Sequence, residues 1–198
     1  MSEQVFTFPY HLGDKERLFD LGQGIHLNAT TIIKKQGGKV QPFTQTLGKM
    51  KWQALAFGGL AVAQAALMGV GGMSVPKVVL TVLCALLGGF LWATRKTNGQ
   101  AFEKAQALYC EANGEGGTMT IDEDGITECS EKGVETHFDW EDYRCCVLCD
   151  EAIVVLFFKP VMLIVGREQA TEDGLLTALA AFDRLNTVYD VEIQEKKK

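Results

Sequence analysis

The chain has 198 residues, 47% of them apolar and 22% charged, with a net charge of −6 and a mean hydropathy of +0.05. That length admits one large domain or two small units, and that composition excludes a disordered, collagen-like or disulfide-knot chain. The acidic balance also argues against nucleic acid as a partner.

Residues 1–51 form a polar N-terminal segment with seven Lys/Arg against four Asp/Glu, net +3. Within it, VFTFPY (5–10) and IHLNATTII (25–33) each read either as a strand or as a segment lying on a membrane surface. A strand from before the apolar region can complete a sheet formed after it.

The apolar residues are concentrated between positions 52 and 96. Trp52 to Met73 is a run of 22 residues without a charge, about 33 Å as a helix against a hydrocarbon core of about 30 Å. A second run, Val78 to Thr94, has 17 residues, about 25 Å, and needs local thinning or a snorkelling Lys77 to reach both sides. Gly71, Gly72 and Pro76 supply turn chemistry between them, so residues 52–96 read as a two-helix transmembrane hairpin with spans at about 52–73 and 76–94. The first run begins too late and is too long for a cleavable signal. Lys34, Lys35, Lys39, Lys49 and Lys51 precede the hairpin and Arg95, Lys96 and Lys104 follow it, while the connecting loop carries only Lys77. That bias predicts a multi-pass membrane protein with both termini cytoplasmic, and with Trp52, Trp92, Arg95 and Lys96 at the interface. Ala61, Ala65 and Gly69 on the first helix, and Ala85 with Gly89 or Cys84 with Gly88 on the second, are small-residue stripes. They serve either packing within the hairpin or a homodimer contact. Gln64 is expected to hydrogen-bond across the helices.

Residues 97–198 carry nine Lys/Arg against 21 Asp/Glu, net −12. A unit this acidic beside an anionic leaflet favours a protein or a cation over lipid headgroups as partner. Residues 97–117 read as a helical stalk and linker, broken by NGEGG (113–117). Residues 118–190 read as about six antiparallel strands closed by one helix. TMTID and ITECSE flank an Asp124-Gly125 turn, VETHFDW alternates with Val134, Thr136, Phe138 and Trp140 facing inward, YRCCVLC follows, and AIVVLFF and VMLIV are the most buried strands. Thr171 is the expected N-cap of the closing helix, with Leu175, Leu176, Leu179, Phe182 and Leu185 on its inner face. Residues 191–198 read as a frayed tail.

Cys145, Cys146 and Cys149 form a dense cluster containing a CxxC, a pattern used for metal binding or redox switching. On a strand, however, Cys145 and Cys149 share a face while Cys146 points away, and no second pair is present to complete four zinc ligands. Structural thiols are the plainer reading, and no cofactor is expected. His137 and Asp139 share an exposed strand face, and none of the three serines sits in a nucleophile elbow. IDEDG lacks the further ligands of a calcium loop and reads as a turn.

The ordered set IDEDGI (121–126), FDWEDYRCCV (138–147), the 153–158 strand and LIVGR (163–167) leading into a helix, all after a two-helix hairpin, resembles the YcxB-like membrane proteins, particularly their C-terminal domain. The resemblance covers roughly residues 52–186. The chain departs from that pattern at Val165-Gly166-Arg167, where a Pro-Lys-Arg-like step is common. The resemblance implies an α+β protein of a bacterial cell membrane with a pleckstrin-homology-like antiparallel β-barrel or roll. It carries no enzymatic activity, and Gly125, Phe138 and Trp140 would be structural. The expected function is therefore non-enzymatic: a membrane-anchored cytoplasmic domain that docks a protein or senses a state at the inner leaflet. A redox- or metal-responsive regulator using the cysteine cluster is the alternative.

Overall fold

The computed structural model describes residues 4–195. The chain divides into two units, residues 44–105 and a second unit assembled from residues 1–43 and 106–198.

The first unit holds most of two long helices, α2 (Phe43–Gly71) and α3 (Val75–Ala112), the end of α3 from Gln106 belonging to the second unit; residues 72–74 connect them, and the φ of +80° at Gly72 suits a residue without a side chain. Both extend beyond the apolar windows read from sequence, and α3 continues unbroken through the segment read as a stalk. The helices meet at Ala54 and Ala61 on α2 and at Cys84 and Gly88 on α3, all buried. A Cβ added at Gly88 would lie 3.2 Å from the Ala54 carbonyl oxygen and from the Gly58 amide nitrogen, so the glycine lets the two backbones approach closely. Thr81 donates a hydrogen bond to Gln64 across the pair at 3.2 Å, so the mid-helix polar side chain has a partner. Ala65, Gly69, Ala85 and Gly89 face outward instead. Only 11% of each apolar window is buried, although both helices are long and apolar enough to cross a membrane.

The second unit is α+β and contains two sheets. β1 (Phe6–His11), β3 (Gly116–Ile121), β4 (Gly125–Ser130) and β5 (Glu135–Asp139) form an antiparallel sheet in the order β1-β3-β4-β5. The other sheet has the order β2-β9-β6-β7-β8. In it β6 (Tyr143–Leu148), β7 (Ala152–Phe157) and β8 (Met162–Gly166) are antiparallel, and β9 (Val188–Ile193) lies parallel to both β6 and β2 (Gly38–Val40). The sheets do not close into a barrel among the described residues. They pack face to face, with Phe138 of β5 stacked on Phe157 of β7 at 4.7 Å. Helix α1 (Lys15–Lys35) covers the other face of the five-stranded sheet, so β7 is buried along its whole length.

Five expectations require correction. Val134 and Thr136 are exposed, and the inward face of their strand is buried only at Phe138, which stacks on Phe157, and at Trp140. IHLNATTII is not a strand but the second half of α1, whose buried positions Leu18, Leu21, Ile25, Ala29 and Ile32 recur at helical spacing. Asp14 caps α1 by accepting from the Arg17 amide at 3.0 Å, and Gln36 ends it in the left-handed region. Residues 188–193, split between the domain end and the tail, form strand β9, which buries Val191. Thr171 does not cap α4 (Gln169–Ala181); Glu168 occupies that position, and Thr171 is buried one turn in, donating to the Pro9 carbonyl at 3.2 Å. Leu185 lies exposed in a 3-10 turn after α4, while Phe182 packs against Phe6 and Trp140. VFTFPY, by contrast, is β1, paired with β3 from Phe6↔Ile121 to His11↔Gly116. The polypeptide thus leaves the second unit for the helical pair and returns to the same unit.

Candidate functional site: an acidic cleft beside a free strand edge

The β3–β4 turn is built by Asp122. Its Oδ1 accepts the amides of Asp124 at 3.0 Å and Gly125 at 3.1 Å, tightening the chain reversal. Gly125 is required there because a Cβ would lie 2.1 Å from the Phe138 carbonyl oxygen. Trp140 closes the same corner from the next turn. Its indole donates to the Asp122 carbonyl at 2.7 Å, its ring meets Tyr143 edge-on at 5.4 Å, and the Arg184 guanidinium lies over it at 5.5 Å. Gly125, Phe138 and Trp140 therefore sit at one junction between the sheets.

Beside this junction is an open cleft of about 720 Å³, lined by Asp122, Asp124, His137, Asp139, Trp140 and Glu141 among others. Among the described residues no lysine or arginine is within ion-pair distance of these carboxylates; Lys159, paired with Asp142, acts on Asp139 and Glu141 from farther away. His137 bridges Thr127, 2.8 Å from its Nδ1, and Asp139, 3.5 Å from its Nε2. The hydroxyl, imidazole and carboxylate are thus in sequence. However, the surrounding carboxylates would oppose an oxyanion developing on a substrate carbonyl attacked by Thr127, and acyl transfer needs the reverse field. The electrostatics of the cleft suit cationic groups.

The cysteine cluster lies elsewhere, inside the sheet layers. Register with β7 puts Cys145 opposite Leu156 and Cys146 opposite Val155, so adjacent thiols face opposite sides of one buried sheet. Cys145 and Cys146 are 0% exposed and Cys149 is 1% exposed. Cys149 Sγ donates to the Ala152 carbonyl at 3.3 Å. Burial pushes the Cys145 thiol up to about 11 and also raises Cys146 and Cys149, which disfavours the reactive thiolate. No group of three or more potential ligands for a metal ion occurs among the described residues.

One ionisable group in the unit escapes sequence pattern altogether. Tyr10 of β1 is fully buried and donates to Glu128 of β4 at 2.7 Å, across the strand β3 that lies between them. A Cβ at Gly117 would lie 2.7 Å from the Tyr10 hydroxyl, so that glycine makes the room for the bond. Desolvation raises the Glu128 carboxyl above its ordinary value, opposed by the Tyr10 hydrogen bond. Alternation in ITECS places Glu128 on one face, but only the fold reveals that Tyr10 reaches it.

Of the residues placed at an interface by sequence, Trp52 and Trp92 are exposed on the helical pair, and Arg95 lies over the Trp92 ring at 5.8 Å. Lys96 is exposed one residue later. Comparison with known protein families, curated proteins and solved structures matches none of them.

Proposed function

We propose that this protein is a non-enzymatic docking module anchored in a bacterial cell membrane by its helical hairpin. Both flanks of the hairpin, and both termini, would lie in the cytoplasm. The observation that carries the anchor is the 11% burial of each apolar window. A core helix of a soluble protein would be mostly buried, and exposed apolar surface of this extent needs a covering phase. The same-side topology is supported by β1 and β3, which flank the hairpin in sequence and pair with one another over six residues. An even number of crossings is the arrangement compatible with that pairing. Trp52, Trp92, Arg95 and Lys96 then mark the cytoplasmic interface.

The docking role rests on the acidic cleft, where carboxylates outnumber the nearby cationic groups: five carboxylates line it, and the facing charges are His137 beside Asp139 and Lys159, which is paired with Asp142. A protein with basic side chains fits it; an anionic lipid headgroup does not. This reading keeps the resemblance to YcxB-like proteins and to a pleckstrin-homology-like roll as proposals about ancestry, with two packed sheets in place of a barrel. The outward small residues Ala65, Gly69, Ala85 and Gly89 are available for a homodimer contact within the bilayer. Affinity purification of the full chain from native membranes in mild detergent tests the reading. The expected result is a reproducible, salt-sensitive protein partner, lost on neutralising Asp124 and Glu141; recovery of none would overturn it.

A further inference from the structure

Two sheets present four edges, and three of them are closed. β1 carries Pro9, which has no amide hydrogen, and the Pro9 carbonyl accepts from Thr171. β8 has its Ile164 carbonyl bonded by the Tyr109 hydroxyl at 3.2 Å. β2 is only three residues long. β5 differs.

The pairing phase of β5 follows from its ends. Ser130 N donates to the Val134 carbonyl at 2.9 Å and Trp140 N donates to the Asp124 carbonyl at 3.2 Å, so Thr136 and Phe138 complete the ladder to β4. Glu135 and His137 therefore direct their amides and carbonyls away from the sheet, and no hydrogen bond among the described residues uses them. The side chains of Glu135, His137 and Asp139 stand on one exposed face, and Val134 and Thr136 are exposed beside them.

From this edge we infer that β5 is where the partner docks, by adding an extended basic segment as a further strand of the β1-β3-β4-β5 sheet. The inference rests on the docking reading above and specifies its surface. Main-chain bonds to Glu135 and His137 would supply the pairing, and charge would select the occupant. A second copy is disfavoured, because antiparallel self-pairing about His137 sets Glu135 against Asp139, like charge opposite like. A strand with lysine or arginine at every second position reverses that sign on the Glu135–Asp139 face and leads its cationic end into the cleft.

The test uses the full chain in a neutral-lipid nanodisc and a fluorescent nonapeptide alternating lysine with threonine, with a glutamate-for-lysine peptide as control. Binding of the lysine peptide alone is expected. Affinity should fall at least tenfold in His137→Pro, which removes an outward amide without touching the ladder to β4. Equal binding to His137→Pro, or to the acidic peptide, overturns the inference. Amide exchange on the unaltered chain guards against misfolding of the variant: the peptide should slow exchange at Glu135 and His137 at least tenfold and leave Thr136 and Phe138 unchanged. Binding without that protection contradicts strand addition, and protection that grows with protein concentration in the absence of peptide identifies a second copy instead. The two readings separate cleanly. A native-membrane partner retained by His137→Pro overturns the edge and spares docking, whereas peptide protection with no native partner overturns docking.

Discussion

The helical pair and the α/β unit solve opposite problems with the same residue types. In the pair, large apolar side chains such as Leu67, Val70 and Phe90 are exposed while the small residues Ala54, Ala61 and Gly88 are buried. In the α/β unit Ile153, Leu156, Phe157 and Leu163 are buried and the surface is charged. Where water is the surroundings, burying large apolar groups stabilises the fold. Where hydrocarbon is the surroundings, that gain disappears and close backbone approach takes its place. The inversion within one chain is the strongest reason to assign the two units to different media.

The comparison can be broken first at β1. Removing residues 1–12 takes Phe8, Tyr10 and Leu12 out of the α/β core, and each buried side chain of this size contributes about 1.5–3 kcal/mol. A loss of roughly 5 kcal/mol or more is expected, seen as loss of cooperative urea unfolding for the α/β unit. The helical content of the pair should persist, and an unchanged unfolding midpoint would contradict β1 as a structural strand.

A matched pair of glycines sharpens the contrast. Gly125→Ala meets the Phe138 carbonyl at 2.1 Å, whereas Gly69→Ala has nothing within 4 Å. The first should cost about 3 kcal/mol, and the second less than about 0.5 kcal/mol. Thermal unfolding in mild detergent reads both. A large loss at Gly69 would instead reveal that the outward stripe is an interface between copies.

The smallest effect is expected at Glu128. Its carboxyl is raised in the folded state by burial, so the folded protein holds the proton more tightly than the unfolded chain. Stability should therefore fall as pH rises from the ordinary carboxylate range through the raised value. Glu128→Gln keeps an acceptor for Tyr10 and should flatten that slope in urea unfolding followed across pH. A slope that persists unchanged would place its origin in another group.

How much of this was legible in sequence depends on whether a pattern is local. Strands β3 to β8 and α4 announce themselves through alternation, continuous apolar runs and the Asp124-Gly125 turn, all of them local patterns. α1 was hidden because Thr30, Thr31, Ile32 and Ile33 are β-branched, and tertiary packing of its 18/21/25/29/32 stripe against β7 and β8 overrides that local preference. β9 was hidden because its partners, β2 and β6, are distant in sequence and parallel to it. At the site, the Asp122 turn and the exposed His137 and Asp139 were visible as letters. The cleft was not, because it exists only where the β3–β4 and β5–β6 turns converge. The cysteines were read as structural thiols on alternating faces of a strand, and the fold buries both of those faces on β6. That burial also makes alanine, not serine, the informative replacement for testing a redox role, since a hydroxyl there loses stability for reasons unrelated to redox chemistry.

The central claim is that the hairpin crosses the bilayer twice and returns to the unit it left. Single cysteines placed at Leu27, Ser74 and Phe158, in a chain with Cys110 and Cys129 replaced by alanine, test it with a membrane-impermeant maleimide applied to sealed vesicles of known orientation. Positions 27 and 158 should label from the cytoplasmic face and position 74 from the opposite face only. Labelling of all three from one face would contradict a membrane-spanning hairpin, and labelling of 27 and 158 from opposite faces would contradict the pairing of β1 with β3.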